Sequence, residues 1–290
     1  MEDRMTFKAA AIQMSSGVDT AKNAADMERL VRAAAAGGAV YVQTPEMTGA
    51  IQKDRQALRA QLRDDDGDII VATAARLARE LRIHVHVGST AIARPDGKIA
   101  NRGFFFAPDG SRICSYDKIH MFDVDLDNGE SWRESAAYEP GEVARVADVP
   151  LAKFGFAICY DVRFPQLFRA EALAGAEILT VPAAFTRQTG EAHWEILLRA
   201  RAIENGAFVI AAAQAGVHED GRVTYGHSII IDPWGRVLSI AGGSGEEIIF
   251  AEIDTSLVAA ARGKIPNLRN SREFGVDTVI PLTPSGGQAA

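Results

Sequence analysis

Apolar, strand-like runs alternate with helical segments in the N-terminal part of the chain. FKAAAIQM (Phe7–Met14) predicts a strand, and a helix is predicted over Thr20–Ala36 with Thr20 as its cap. The runs AVYVQ (39–43) and IHVHVGST (83–90) predict two more strands, with a second helix near Asp68–Leu81 between them. A β-α-β-α-β order is typical of α/β proteins, whose helices cover a largely parallel sheet.

Turn signals separate shorter strands in the middle of the chain. PDGK (95–98) and APDG (107–110) are typical turn sequences, and RGFFFA and RICSYDK beside them predict antiparallel strands. The polar stretch DVDLDNGESW (Asp123–Trp132) predicts an irregular loop. Strands and helices then alternate again, so the pattern predicts one strand-rich α/β domain over residues 1–280. Residues 281–290 (PLTPSGGQAA) are predicted to be a flexible C-terminal tail.

The composition is that of a soluble globular protein, since 47% of the 290 residues are apolar and 24% are charged. A net charge of -7 without lysine-rich runs argues against nucleic acids and anionic membranes as partners. No apolar run approaches the roughly 18 residues that span a bilayer, and the charged N-terminus does not resemble a signal peptide. With only two cysteines, a disulfide framework is not expected, and the protein is predicted to be cytoplasmic.

Three predicted strands end in side chains that can carry chemistry. VYVQTPE leads to Glu46, ICSYDK leads to Lys118 and FGFAIC leads to Cys159. Loops at the carboxyl ends of strands commonly hold functional groups on a rigid base. A carboxylate, an ammonium and a thiol are the groups of a covalent hydrolase, provided that they converge on one bound carbonyl.

Each of these residues also has a structural explanation. A cysteine at a strand end is often core filling, a lone lysine is usually solvated, and a glutamate after a proline is often a turn residue. The residues by themselves therefore leave the triad open. No metal site is predicted, because His84 and His86 alternate along one strand and two histidines do not make a site. The sequence has neither a P-loop nor a GxGxxG pattern.

Five segments resemble the nitrilase superfamily of carbon-nitrogen hydrolases, and within it the Nit branch. They are spread over nearly the whole chain: TPE at Glu46, YDKIHMFDVD at Lys118, ICYDVRFP at Cys159, TGEAHWEILLRARAIEN from Thr189 and YGHSIIIDPWG from Tyr225. The run AAAQAG followed by YGHS is most similar to the deaminated glutathione amidases of that branch. No task is predicted for Tyr225 or His227.

This resemblance implies an α-β-β-α sandwich that works without a metal or an organic cofactor. Two such sandwiches usually pair sheet to sheet as a homodimer, and a homodimer or a higher homo-oligomer is expected here. The resemblance implies that Glu46 is the general base, that Lys118 stabilises charge and that Cys159 is the nucleophile. The family also carries a second glutamate after the lysine. In a segment like WRES this is Glu134 here, which would orient Lys118 or balance its charge. Asp125 and Glu130 lie nearby, but the local match favours Glu134.

The three residue types suit amide hydrolysis, because a neutral thiol is a weak nucleophile. Glu46 would accept the thiol proton as Cys159 attacks the carbonyl, and would return it to the departing nitrogen, which leaves a thioester. Glu46 would then activate water. Lys118 and the backbone N–H of Tyr160 are expected to stabilise the negative charge on the carbonyl oxygen.

Two charged residues follow the predicted nucleophile. Asp161 could cap the helix expected near Pro165, or it could belong to the site. Arg163 is predicted to bind a substrate carboxylate through its planar guanidinium, since deaminated glutathione is an anion. The structural alternative for Arg163 is a salt bridge with an acidic neighbour.

The predicted function is hydrolysis of a linear amide of a small, anionic substrate, with deaminated glutathione as the expected compound. An ω-amidase acting on 2-oxo acid amides such as 2-oxoglutaramate is the nearest alternative, and nitrile or N-carbamoyl hydrolysis is a further one. A non-catalytic relative that binds partners on the same scaffold is an alternative of another class. The presence of Glu46, Lys118 and Cys159 together argues against it, since a binding protein has no physical need for all three.

Overall fold

Two six-stranded β-sheets form the centre of the computed structural model, which describes residues 6–126, 129 and 131–278. The first sheet has the spatial order β16-β1-β2-β3-β4-β5 and contains β1 (Thr6–Gln13), β2 (Tyr41–Gln43), β3 (His84–Ala93), β4 (Ile99–Phe106), β5 (Arg112–Asp117) and β16 (Glu247–Asp254). The second has the order β15-β14-β11-β10-β9-β8 and contains β8 (Val146–Val149), β9 (Ala152–Phe156), β10 (Ile178–Thr180), β11 (Phe208–Ala211), β14 (Ile229–Ile231) and β15 (Val237–Ile240). Two short hairpins complete the strands: β6 (Asp123–Asp125) with β7 (Ser131–Arg133), and β12 (Ala215–Val217) with β13 (Val223–Tyr225).

Helices cover the outer faces of both sheets. The described ranges contain α1 (Thr20–Ala36), α2 (Arg55–Gln61), α3 (Ile69–Leu81), α4 (Pro165–Leu173), α5 (Arg187–Asn205) and α6 (Ser256–Lys264). Helices α1 and α3 pack on the first sheet, and α4 and α5 pack on the second. The predicted α-β-β-α sandwich is therefore confirmed. None of these helices combines the length and the apolar composition that crossing a membrane requires.

Alternating side chains of β1 explain how one strand serves two cores. Phe7 and Ala11 are buried in the core between the sheets, whereas Ala10 and Ile12 are buried in the core beneath α1 and α3. Successive side chains of a strand point to opposite faces, so a run that is apolar throughout can fill both layers.

Aromatic rings hold the two sheets together near their centre. Tyr41 of β2 stacks on Phe154 of β9 with the ring centroids 4.8 Å apart, and Phe105 of β4 lies 5.2 Å from Phe154. This packing fixes β2 against β9. Since Glu46 follows β2 and Cys159 follows β9, it also fixes the distance between those two segments.

Strand directions bring the ends of β2 and β5 to one edge of the first sheet. β1, β2 and β3 are parallel, and β4 is antiparallel to both β3 and β5, so β5 runs in the same direction as β3. In the second sheet β9, β10 and β11 are parallel. The carboxyl ends of β2, β5 and β9 can therefore contribute to one site, as the predicted strand ends require.

Two local predictions are wrong. The cap of α1 is Asp19 rather than Thr20, because the Asp19 carboxylate accepts hydrogen bonds from two backbone N–H groups of the first turn, at 2.9 and 3.3 Å. The stretch Asp123–Trp132 is not wholly irregular, because the β6–β7 hairpin orders both of its ends. The predicted tail at residues 281–290 and the side chain of Glu130 lie outside the described residues.

Candidate active site

A cavity of about 250 Å³ lies where the segments after β2, β5 and β9 meet. The side chains of Glu46, Lys118, Glu134 and Cys159 all line it, together with Tyr160. The structure thus brings together the residues that the sequence placed at separate strand ends. Aromatic side chains complete much of the wall: Phe122, Trp132, Tyr138 and Phe185.

The Glu46 carboxylate is buried among N–H donors. Its Oε1 accepts hydrogen bonds from Lys118 Nζ at 2.9 Å and from Asn101 Nδ2 at 2.9 Å, and its Oε2 accepts one from the Ala184 N–H at 2.8 Å. Burial acts to raise the pKa of Glu46, but the Lys118 ammonium and the hydrogen bonds outweigh it, so the pKa lies below its ordinary value. Glu46 is therefore ionised at neutral pH and is held in one orientation.

Lys118 lies between two carboxylates. Its Nζ is 2.9 Å from Glu46 Oε1 and 2.9 Å from Glu134 Oε2. Burial acts to lower the pKa of Lys118, but the charges of Glu134 and Glu46 raise it well above its ordinary value. The side chain therefore remains an ammonium at neutral pH, and it can act through its charge rather than by transferring a proton.

Glu134 connects the hairpin segment to this ion pair. Besides Lys118, its carboxylate accepts hydrogen bonds from Asn101 Nδ2 at 3.1 Å and from the backbone N–H of Phe122 at 2.7 Å. Phe122 directly precedes β6, so Glu134 holds the start of that hairpin beside Lys118. This geometry suits the orienting role that the family resemblance implies.

Cys159 stands at a strained turn, separated from β9 by Ala157 and Ile158. Its φ is +50°, a conformation that few residues other than glycine adopt, and its N–H donates to the Pro182 carbonyl at 2.9 Å. Burial and the Glu46 charge raise the pKa of the thiol well above its ordinary value, and Lys118 offsets this only in part. The resting group is therefore a neutral thiol, and attack on a carbonyl requires a base.

The backbone at Tyr160 offers a free donor next to that thiol. Among the described residues no acceptor binds the Tyr160 N–H. The adjoining ring is fixed in place, since it packs edge-on against Phe122 at 5.2 Å and against Phe164 at 5.4 Å between centroids. An N–H in this position can meet negative charge on a carbonyl oxygen that Cys159 attacks.

Asp161 does not cap the helix at Pro165, which has no side-chain cap. The Asp161 carboxylate is fully buried and accepts hydrogen bonds from the Tyr116 hydroxyl at 2.8 Å, the Ile158 N–H at 2.9 Å, the His120 N–H at 2.9 Å and His120 Nδ1 at 2.6 Å. Tyr116 and His120 flank Lys118 in the chain, and Ile158 precedes Cys159. Asp161 therefore fixes the two segments that carry the ammonium and the thiol relative to each other.

We expect Asp161→Ala to destabilise the protein by about 3 kcal/mol or more, because several buried donors lose their acceptor. Urea unfolding measures this loss directly. Asp148 is a matched control, since its carboxylate is exposed and pairs only with Lys153. Asp148→Ala should cost less than about 1 kcal/mol. Equal losses for the two variants would contradict the connecting role of Asp161.

Arg163 does not line the cavity. Its guanidinium lies over the rings of Phe185 at 5.4 Å and Tyr160 at 5.9 Å, and 3.3 Å from Nδ1 of His193. No described carboxylate pairs with it, so the salt-bridge alternative finds no support. Both rings belong to the cavity wall, which places a positive charge directly behind that wall.

Asn101 and Arg222 are polar residues of the cavity that sequence reasoning missed. Asn101 donates through one nitrogen to both Glu46 and Glu134, at 2.9 and 3.1 Å. A polar amide inside the apolar run IANRGFFF was the available signal, because a buried amide needs a polar partner. Within the described ranges, no three His, Cys, Asp or Glu side chains are placed to hold a metal ion.

Comparisons with known proteins find relatives over nearly the whole chain. The profile of the carbon-nitrogen hydrolase family matches residues 8–263. The deaminated glutathione amidase of Yersinia enterocolitica is 37% identical over 287 residues, which cover 97% of this chain and 98% of that protein. The probable hydrolase nit2 of Schizosaccharomyces pombe is 37% identical and matches 91% of this chain and 97% of its own.

Solved structures show the same similarity in three dimensions. The NitFhit protein of C. elegans superposes with a TM-score of 0.84 at 34% identity, over 92% of this chain and 65% of that longer chain. Nit3 of Saccharomyces cerevisiae, a member of branch 10 of the nitrilase superfamily, gives a TM-score of 0.81 at 30% identity, over 90% of this chain and 94% of its own. The matches cover most of the chain, including the segments around the cavity.

Proposed function

The chain belongs to the carbon-nitrogen hydrolase family and is a hydrolase of carbon-nitrogen bonds other than peptide bonds, and we propose that it cleaves a linear amide of a small anion, with deaminated glutathione as the compound. The observation that carries this proposal is the meeting of the Cys159 thiol, the Glu46 carboxylate and the Lys118 ammonium in one cavity. The relatives named deaminated glutathione amidase, at 36–37% identity over most of the chain, support the choice of substrate.

The first half of the reaction forms a thioester. Glu46 takes the thiol proton as the sulfur of Cys159 attacks the amide carbonyl, and the new negative charge lies on the carbonyl oxygen. Lys118 and the Tyr160 N–H stabilise that oxyanion. Removal of a single such donor typically costs about 2.7–4 kcal/mol of transition-state stabilisation. Glu46 then gives the proton to the nitrogen, the carbon-nitrogen bond breaks, and the amine leaves.

The second half consumes water. Glu46 removes a proton from a water molecule that attacks the thioester carbonyl, and the same two donors stabilise the second oxyanion. The carbon-sulfur bond then breaks, the proton returns to sulfur, and the product is a carboxylic acid. Glu46 starts both halves ionised, which matches a pKa below its ordinary value.

A substrate panel tests the proposal. Deaminated glutathione carries a 2-oxo dicarboxylic acyl group on the amine of cysteinylglycine, so its hydrolysis yields 2-oxoglutarate and the dipeptide. We expect a higher kcat/KM for it than for 2-oxoglutaramate, glutamine or a simple nitrile, with Cys159→Ala as the inactive control. A preference for 2-oxoglutaramate would identify an ω-amidase. If the protein hydrolyses none of these compounds, the result would favour a non-catalytic binding protein.

Arg163 is proposed to attract the carboxylate of the acyl group through the aromatic wall formed by Tyr160 and Phe185. We expect Arg163→Gln to lower kcat/KM about tenfold or more for anionic amides, because it removes the positive charge that lies behind both rings. A neutral aliphatic amide should lose much less. Steady-state kinetics on the two substrate classes measure this, and an equal loss for both would contradict binding of a carboxylate.

A further inference from the structure

We propose that Arg222 binds a carboxylate on the leaving-group side of the substrate, so that the preferred leaving group is an anionic amino acid or peptide rather than ammonia. This inference rests on the proposed amidase function and specifies the substrate class for the same cavity. It assigns a binding role to a residue outside the Glu46, Lys118 and Cys159 set.

Arg222 lines the cavity, and its guanidinium has no hydrogen-bond acceptor among the described residues. Its central carbon lies 4.7 Å from the centroid of the Trp132 ring, so the group is held against that ring. Its Nε has almost no accessible surface and donates no hydrogen bond to any described residue. Asp220 is close in sequence, but its carboxylate accepts from the backbone N–H of Arg222, at 2.9 Å, and forms no ion pair with the guanidinium.

Arg222 differs in this respect from the other cations around the cavity. Lys118 is held by two carboxylates, and Arg133 pairs with Asp125 at 2.8 Å. Lys53 and Arg55 are exposed, so water satisfies them. Arg222 is the partly buried cation whose donors remain unmatched within the described part of the chain. Buried donors normally have acceptors, and a carboxylate matches the guanidinium geometry best.

The order of chemical steps places this anion on the nitrogen side. Once the thioester forms, the acyl group is covalently attached to Cys159, which is only 8% exposed. The amine must leave through the open side of the cavity before water can attack. The exposed side chains of Lys53, Arg55 and Arg133 form that side, and Gly221, next to Arg222, lies beside the Lys53 ammonium.

The local charge supports an anionic leaving group. The protein has a net charge of -7, yet the described acidic side chains of the cavity wall, Glu46 and Glu134, are both bound to Lys118. Of the described basic side chains of the wall, Arg133 is paired with Asp125, so the positive charge of the rim comes from Lys53, Arg55 and Arg222. Ammonia would gain nothing from this positive rim, whereas the free carboxylate of a peptide amine would be attracted to it.

Matched substrates test the assignment. The pair is deaminated glutathione with its free glycine carboxylate and the same compound with that carboxylate converted to a carboxamide. We expect the wild-type protein to favour the free acid, and Arg222→Gln to lower the ratio of the two kcat/KM values about 10- to 100-fold, as expected for loss of one charge-assisted pair. Arg222→Lys should retain part of the preference for the free acid. Lysine keeps the positive charge but lacks the planar guanidinium that can donate two hydrogen bonds to a carboxylate.

Arg133→Gln is the matched control, because it removes the same formal charge from the same rim while its guanidinium is already paired with Asp125. We expect it to change the ratio less than about threefold. An unchanged ratio in Arg222→Gln, or the same fall in Arg133→Gln, overturns the assignment while amide hydrolysis by the wild type still supports the proposed function. If the wild type hydrolyses neither matched compound nor 2-oxoglutaramate, the Arg222 assignment and the proposed function are both wrong. Thermal melting verifies that the variants are folded.

Discussion

Replacing Cys159 by alanine is expected to lower kcat/KM for amide hydrolysis by about 10⁴- to 10⁶-fold, the scale at which loss of a nucleophile removes the covalent route. No other thiol lines the cavity within the described residues. When wild-type protein is mixed with substrate and quenched in acid, the acyl group should be found on Cys159 as a mass increase. Intact-mass and peptide mass spectrometry measure it alongside steady-state rates.

Cys114 supplies the control for this experiment, because it is the other cysteine in the sequence. It lies in β5 outside the cavity, and burial raises the pKa of its thiol to about 11. Cys114→Ala should retain wild-type rates and the acyl adduct. Activity of Cys159→Ala within tenfold of the wild type, or an adduct on another residue, would show that the covalent route is wrong.

The positions of the site residues could be predicted where the sequence pattern that marks them spans only a few neighbouring residues. An apolar strand that stops at a reactive side chain is visible in a few residues, and the ends after β2, β5 and β9 do meet at one cavity. The resemblance to the nitrilase superfamily is confirmed, and with it the sandwich fold. It also pointed to Glu134, whose distance from Lys118 depends on a hairpin that composition alone predicted to be a loop.

The remaining contacts depend on packing between distant segments. Asn101 lies in mid-strand and meets Glu46 only because β4 and β2 both border β3. The direction of the Arg163 guanidinium depends on Phe185 and His193, which belong to later elements. Asp161 had two explanations in sequence, and its actual partners, Tyr116 of β5 and His120 of the loop after β5, belong to an earlier part of the chain. These contacts are determined by tertiary packing, which local sequence patterns do not encode.

The charges of the site support one another across the neutral pH range. The pKa of Glu46 is lower in the folded protein than in the unfolded chain, so its stabilising effect is present at neutral pH and is lost as the pH falls through the folded value. The pKa of Lys118 is raised, so its effect is lost only as the pH rises through the folded value. Between these limits the pair is charged, while the raised pKa keeps Cys159 protonated. The proton therefore stays on sulfur in the resting protein, and Glu46 is the ionised carboxylate that can accept it as the carbon-sulfur bond forms.

Glu46→Gln is expected to lower kcat/KM at pH 7 by about 10²- to 10⁴-fold, the usual contribution of a positioned general base. The variant keeps the size of the side chain and a hydrogen-bonding carbonyl, but it can no longer accept the thiol proton. Attack then requires a thiolate formed by loss of the proton to solvent, and burial, the largest cause of the raised pKa of Cys159, still makes that species scarce when the Glu46 charge is gone. Residual activity should therefore rise about tenfold for each pH unit over the neutral range.

The pH dependence separates this role from a purely structural one. In the wild type, kcat/KM should be nearly flat from neutral pH down towards the lowered pKa of Glu46, since the base is already ionised there. A merely misfolded Glu46→Gln protein would lose activity at every pH and would keep the wild-type profile. A steep rise of kcat/KM with pH is expected only when the Cys159 thiol has lost its general base. A flat profile in the variant, with normal melting behaviour, would mean that another group takes the proton and that Glu46 serves only to hold Lys118.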